Sequence, residues 1–189
     1  MRPIVLASAS PRRLDLLRDA GWQVSVDVSG VQEIEDDSMR PEVLALENAR
    51  LKWSAIAVRR PNDLIVAADT VVWFAGRFYG KPKTHIEAQA MLATLVGQTH
   101  EVVTGVVAGS FSEPVEFAEH SRVSFHELNA ESIESYLLSI NPLDKAAGYA
   151  AQGDDGRLIA KIEGSLSNVI GLPMERLTKL IGGDQRVQV

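Results

Sequence analysis

Apolar residues fall into short blocks along this chain, and the spacing within each block predicts its conformation. Pro3 to Ala7 is a compact Ile/Val/Leu run that stops at Ser8-Ala9-Ser10-Pro11, as expected of a buried strand ending in a turn. Ser10 followed by Pro11 is a helix start, Ser at the N-cap and Pro at the first helical position, with Leu14, Leu16 and Leu17 recurring before Gly21 ends it. Trp22, Val24, Val26 and Val28 then alternate with polar residues, the period of a half-buried strand, and an acidic loop follows from Glu33 to Asp37. Pro41 opens a second helix to about Arg59, whose apolar stripe (Val43, Leu44, Leu46, Leu51, Ile56, Ala57) has Lys52 inside it. Leu64 to Ala68 is continuously apolar and reads as a central strand delivering Asp69 and Thr70 at its carboxyl end.

Gly76 with Arg77 predicts a hairpin joining Val71–Phe74 to Phe78–Tyr79, with Gly80-Lys81-Pro82 as its exit loop. Thr84 caps a third helix carrying Ile86, Ala90, Met91, Leu92 and Leu95, and Gly97 stops it. Two long strands follow, His100 to Ala108 and Val115 to Leu128; Asn129 caps a helix to Ile140, Leu158 to Ile162 is a last strand, and Pro173 starts a terminal helix. Strands and helices mixed with a hairpin predict an α/β fold with a mixed, twisted sheet and flanking helices. At about 150 residues per domain, 189 residues predict one domain over 1–189, in which two halves sharing one sheet remain open. No internal repeat or linker-like tract interrupts it.

Composition narrows the function classes. With 46% hydrophobic and 23% charged residues the chain can build a core, which excludes disorder. A net charge of −6 speaks against a protein that coats nucleic acid, so an anionic substrate must meet a local basic cluster. Cysteine is absent, which removes disulfides, thiolate zinc sites and thiol redox chemistry. No apolar run approaches the roughly 20 residues that span a bilayer, and Met1 to Val5 lead straight into polar Ser8 to Arg13, unlike a secretory signal. The expectation is a cytoplasmic protein with neither membrane nor nucleic acid as partner.

Candidate chemistry sits at several points. Ser8-Ala9-Ser10-Pro11-Arg12-Arg13 places two hydroxyls and two guanidinium groups where a strand hands over to a helix, whose free N–H groups and dipole favour an anion; the alternative is an ordinary cap with solvated arginines. Asp69 at a strand end can hold Mg²⁺ or orient water, or merely cap a turn. Lys52 and Lys81 suit phosphate oxygens, although each taken alone reads more readily as a snorkelling or solvated surface lysine, and Glu33 alone is one member of an exposed acidic run. The small residues of Asp144 to Gly153 permit close backbone approach to a ligand, and Gln152 could read a base edge through its paired donor and acceptor. The histidines at 85, 100, 120 and 126 show no metal or triad spacing, and no GxxxxGK[ST] loop is present.

Taken in order, SASPRR, Glu33, Lys52, AADTVV at 67–72, GKP at 80–82, THEVVTGV at 99–106, DKAAGYAAQG at 144–153 and GSLSNVIGLP at 164–173 resemble the Maf family over residues 4 to 177. The resemblance implies a nucleoside triphosphate pyrophosphatase, related in fold to inosine triphosphate pyrophosphatases, with two lobes around a central cleft. It implies that Ser8, Arg12, Arg13, Lys52 and Lys81 hold the triphosphate. Glu33 and Asp69 serve a divalent cation, Mg²⁺ or Mn²⁺, and the attacking water, with Asp69 as proton acceptor. The AADT and AGYAAQG segments resemble the branch acting on dTTP and UTP, modified pyrimidine nucleotides being further candidates, with Arg12, Thr70 and Gln152 associated with base choice. Gln32, Ala150 and Ala151 depart from the more usual residues at their positions and bear on that choice. The physics agrees, because cleavage between the α and β phosphates must neutralise about four negative charges and an unaided aspartate is a weak base. Two other functions stay open: a nucleotide-binding regulator of septum formation without turnover, and a phosphatase of small phosphates. A homodimer is left open as well.

Overall fold

A computed structural model describes residues 2–182. Its elements run β1 (Ile4–Leu6), α1 (Pro11–Asp19), β2 (Val24–Val26), α2 (Pro41–Ala57), β3 (Leu64–Phe74), β4 (Arg77–Phe78), α3 (His85–Leu95), β5 (Thr99–Ser110), β6 (Glu113–Phe125), α4 (Ala130–Ser139), β7 (Ile159–Glu163), α5 (Leu166–Ile170) and α6 (Met174–Ile181). Seven strands form one mixed sheet in the order β2-β1-β3-β5-β6-β7, with β4 added to β3. The β1–β2 and β1–β3 pairs are parallel, the others antiparallel. Among the described residues no helix is long and apolar enough to cross a membrane.

Two packing centres hang on this sheet. Around its β1 side, Ile4, Leu6, Val66 and Ala68 pack with Leu17 and Leu177 on one face, while Val5, Ile65 and Ala67 pack with Trp53 and Ile56 of α2 on the other. Around its β6–β7 side, Leu92 and Leu95 of α3, Ile133 and Leu137 of α4, and Val123 and Leu158 form a separate core. Leu17, Leu92 and Leu158 are wholly enclosed, and each such burial is worth about 1.5–3 kcal/mol. The long strands β3 and β5 run through both lobes, paired from Ile65↔Gly109 to Trp73↔Glu101.

The structure corrects the expected end of the central strand. β3 does not stop at Ala68 but continues to Phe74, so Asp69 and Thr70 lie mid-strand, paired with Gly105 and Thr104. What ends there is the neighbour: β1 pairs with β3 only through Leu6↔Val66, and β4 joins only at Trp73↔Phe78. This break in the sheet edge leaves β3 without a neighbour on that side at Asp69 and Thr70, the point where a carboxyl end was expected. The hairpin turn falls on Ala75-Gly76, φ +49° and +81°, one residue earlier than Gly76-Arg77, and its consecutive left-handed residues give the turn twist that matches the strands. Helix α5 was not anticipated; at five residues it is too short to show a 3.6-residue apolar period.

Candidate active site

Alternation along β3 decides where its two polar residues point. Ile65 and Ala67 face α2, so Asp69 does too; Val66 and Ala68 face the α1 side, so Thr70 follows them. Gly105, opposite Asp69, is what lets α2 come close. A Cβ at that position would lie 2.4 Å from the backbone of Ala45, so any side chain would push the helix off the sheet. The close approach brings Lys52 and Asn48, one helical turn apart on α2, against Asp69.

Lys52 Nζ lies 2.6 Å from Asp69 Oδ1 and 2.6 Å from Glu33 Oε1, and it reaches the Ala68 carbonyl at 3.5 Å. Asn48 Oδ1 accepts from the Ile34 N–H at 2.7 Å, which fixes its amide; Nδ2 then donates to the Ile34 carbonyl at 3.1 Å and to Asp69 Oδ2 at 3.3 Å. Asn48 therefore ties the loop bearing Glu33 to the strand bearing Asp69. Burial alone would push the Glu33 carboxyl up, but the Lys52 hydrogen bond and the Lys52, Lys81 and Arg13 charges bring it below its ordinary value.

On the other face Arg13 is buried. Its Nε donates to the Gly171 carbonyl at 2.8 Å, Nη1 to Ser8 Oγ at 3.1 Å and Nη2 to Thr70 Oγ1 at 3.0 Å. Desolvation lowers its pKa, while the Asp69 and Glu33 charges oppose that shift. All three contacts go to neutral oxygens, so the guanidinium keeps unspent charge beside the cleft. Ser10 occupies the N-cap position of α1 but makes no capping bond, and Ser8 Oγ instead accepts from the Ser10 N–H at 3.2 Å. The first turn of α1 thus keeps free donors at the positive end of its dipole.

Ser8, Arg12, Arg13, Glu33, Lys52, Asp69, Thr70, Lys81 and Gln152 all line one cleft of about 800 Å³, so the structure brings every expected site residue together. They divide by exposure. Ser8, Arg13, Lys52 and Asp69 form a buried floor, each at most 9% exposed, whereas Lys81 and Gln152 stand exposed at the rim. Thr70 lies between, its hydroxyl also 2.9 Å from Thr104 Oγ1. Arg12 crosses the cleft to Asp144, donating to its carbonyl at 3.2 Å and pairing with its carboxylate at 3.7 Å.

Several residues of the site escaped sequence reading. Asn48 is 3% exposed and holds two acidic residues in register; its spacing of four from Lys52 on one helix face was the available signal. Arg77, Lys83 and Lys145 add cations to the cleft wall; sequence reading placed Arg77 at a turn and Lys145 in the 144–153 segment without assigning any of the three to an anion. The basic cluster demanded by an anionic substrate on an acidic chain is therefore larger than the four cations read from the sequence. Lys52, whose alternative reading was a surface lysine, is instead buried between two carboxylates.

Glu33 and Asp69 converge on one point, where the Lys52 ammonium already sits, and both offer hard oxygen donors to the cleft. This fits a Mg²⁺-type ion, which takes one or two carboxylates and completes its shell with phosphate and water. Among the described residues no group of three or more His, Cys, Asp or Glu side chains gathers as a metal site.

Comparison with known proteins identifies the relatives of this chain. The chain is 40% identical over 179 residues to a protein named dTTP/UTP pyrophosphatase from Bacillus cereus (strain AH820), spanning 95% of this chain and 94% of the relative. Proteins of the same name from Bacillus anthracis and Bacillus thuringiensis subsp. konkukian (strain 97-27) match to the same extent. In fold it resembles the Staphylococcus aureus Ham1 protein, with a TM-score of 0.56 at 14% identity over 97% of this chain and all of that one. A family model described as Maf-like protein matches residues 3–183, and the chain belongs to the Maf family.

Proposed function

We propose that this enzyme, of the nucleoside triphosphate pyrophosphatase class, hydrolyses dTTP and UTP to the monophosphate and pyrophosphate. The observation that carries the reading is the meeting, on one cleft floor, of the Asp69–Lys52–Glu33 cluster with buried Arg13 and the open first turn of α1. Relatives named for dTTP and UTP support the substrate class. A triphosphate brings about four negative charges; buried Arg13 and the α1 N–H groups supply donors fixed before substrate arrives, and Arg12 and Lys81 add cations from the rim.

Asp69 is positioned to accept a proton. Lys52 engages its Oδ1, while Oδ2 takes one longer bond from Asn48 and keeps lone-pair capacity for a water. In the proposed step a water oxygen bonds to the α-phosphorus and its proton passes to Asp69. The bond from that phosphorus to the α–β bridging oxygen breaks, and pyrophosphate leaves with the electron pair. Glu33 and Asp69 would hold a divalent cation, which when bound neutralises phosphate charge and makes water more acidic. Lys52 bridges the two carboxylates and holds them on one point of the cleft floor. Gln152 is assigned to the base: its amide can donate and accept at the O4 and N3–H edge of uracil or thymine, whereas cytosine presents the reversed pattern. UTP and dTTP are expected well ahead of CTP and purine triphosphates.

Product analysis with UTP and Mg²⁺ or Mn²⁺ tests this. UMP and pyrophosphate are expected, with ¹⁸O from labelled water in UMP; orthophosphate would mean a phosphatase, and binding without turnover a nucleotide-responsive regulator.

A further inference from the structure

The segment carrying Gln152 is held from beneath by two buried hydroxyl groups that sequence reading did not connect with it. Its entrance is fixed first. Ala147 and Gly148 adopt consecutive left-handed conformations, φ +54° and +70°, and the Ala147 N–H donates to the Gly80 carbonyl at 2.9 Å, next to Lys81. Tyr149 follows, 6% exposed, its hydroxyl 2.9 Å from His100 Nε2 on β5. Ala150 is gripped next. Its N–H donates to the Tyr136 hydroxyl at 3.0 Å, and that hydroxyl donates to the Ala150 carbonyl at 3.4 Å. Tyr136 belongs to α4 and is 4% exposed. Two successive residues are thus tied to two different elements of the second lobe, immediately before Ala151 and Gln152.

These contacts are not what packing alone would select. His100 is 1% exposed, and its other nitrogen, Nδ1, is buried without a hydrogen-bond partner among the described residues. Its ring sits edge-on to Phe125 and Tyr149, at centroid distances of 4.7 and 5.4 Å, a place an apolar side chain would fill without an orphaned polar atom. What the imidazole adds is a defined partner for the Tyr149 hydroxyl. Likewise the Tyr136 ring would bury as well without its oxygen, whose contacts are both with the Ala150 backbone.

We infer that Tyr136, with the His100–Tyr149 pair, is a positioning device for base recognition: it fixes the backbone at residues 149–150 so that the Gln152 amide meets the pyrimidine edge in one orientation. The inference rests on the assignment of Gln152 to the base. A freely moving amide rotates to suit uracil or cytosine equally, so discrimination requires such a fixture. The phosphate-binding floor lies on other elements and does not depend on it.

The experiment compares kcat/KM for UTP and CTP in wild type, Tyr136→Phe, Gln152→Ala and the double variant, with His100→Leu and His100→Gln as a second probe. Tyr136→Phe retains the ring and should narrow the UTP/CTP ratio by about three- to tenfold, the range for one lost hydrogen bond. It should add little in the Gln152→Ala background, because the two act as one unit. His100→Leu should narrow the ratio and His100→Gln, whose amide can reach the Tyr149 hydroxyl, should restore it. A merely structural role would lower Tm and slow both nucleotides alike, leaving the ratio intact. If Gln152→Ala narrows the ratio and Tyr136→Phe and His100→Leu do not, the positioning role is wrong and the base assignment stands. If Gln152→Ala leaves the ratio unchanged, or wild type shows no preference, both are overturned.

Discussion

On the floor of the cleft, Lys52 and Asp69 are each 8% exposed and joined at 2.6 Å, with Asn48 and Glu33 completing the contacts. At its rim, Lys81 and Gln152 are exposed, and Arg12 reaches Asp144 through a pair that is half in solvent. The floor spends stability to hold charges in a fixed arrangement before substrate arrives, as catalysis by preorganised groups requires. The rim carries side chains that face solvent, so its contribution is made on binding and depends on the backbone beneath. Chemistry should therefore reside in the floor, affinity and base choice in the rim, and this division can be broken at several points.

The largest effect is expected at Asp69. Asp69→Asn keeps the size and removes the charge, and kcat for UTP should fall by roughly 10² or more while nucleotide affinity is largely retained. A kcat within threefold of wild type in steady-state assays would remove Asp69 from the chemistry. Stability separates the regions next. Lys52→Met leaves the Asp69 carboxylate buried without its cation and should cost about 3 kcal/mol in urea unfolding at neutral pH, whereas Arg12→Ala, which breaks a half-exposed pair, should cost less than about 1 kcal/mol. Equal losses would show that burial does not distinguish floor from rim.

The support beneath the rim has its own signature in pH. Burial lowers the His100 pKa from 6.5 to about 4, so the unfolded imidazole takes up a proton that the folded one refuses. Stability from this group is full above pH 6.5 and is lost as the pH falls from there towards about 4, by about 3 kcal/mol in all. Wild type should lose more stability across that window than His100→Leu does, as read from urea midpoints at pH 7 and pH 4.5; parallel curves would contradict it. The smallest change in rate belongs to Gln152→Ala, which should narrow the preference for UTP over CTP more than it slows UTP itself.

Much of this was legible in the sequence. The apolar blocks predict the order of strands and longer helices, and the nine site residues named from local motifs all line the cleft, although Asn48 and three further cations of its wall were not among them. Long-range pairing was not legible. Asp69-Thr70 looked like a strand end because polar residues interrupt an apolar run, yet β5 supplies the pairing and α2 and α1 supply the polar partners that carry β3 through. Lys52 looked misplaced in an apolar stripe for the same reason: its two carboxylate partners come from residues 33 and 69. Gly105 falls inside the predicted strand His100 to Ala108 with no role assigned to it, and only the packing of Ala45 against it shows why a side chain is excluded.

The most direct test of the division sets Asp69→Asn beside Lys81→Ala. For each, kcat with UTP and the Kd of a non-hydrolysable α,β-imido analogue of UTP are measured under one set of conditions. The account predicts a crossing: Asp69→Asn loses roughly 10² or more in kcat with Kd nearly unchanged, and Lys81→Ala weakens Kd by about 1.5–3 kcal/mol, the range for a charge-assisted hydrogen bond, with kcat nearly unchanged. Two variants that lose affinity and turnover in the same proportion would contradict it.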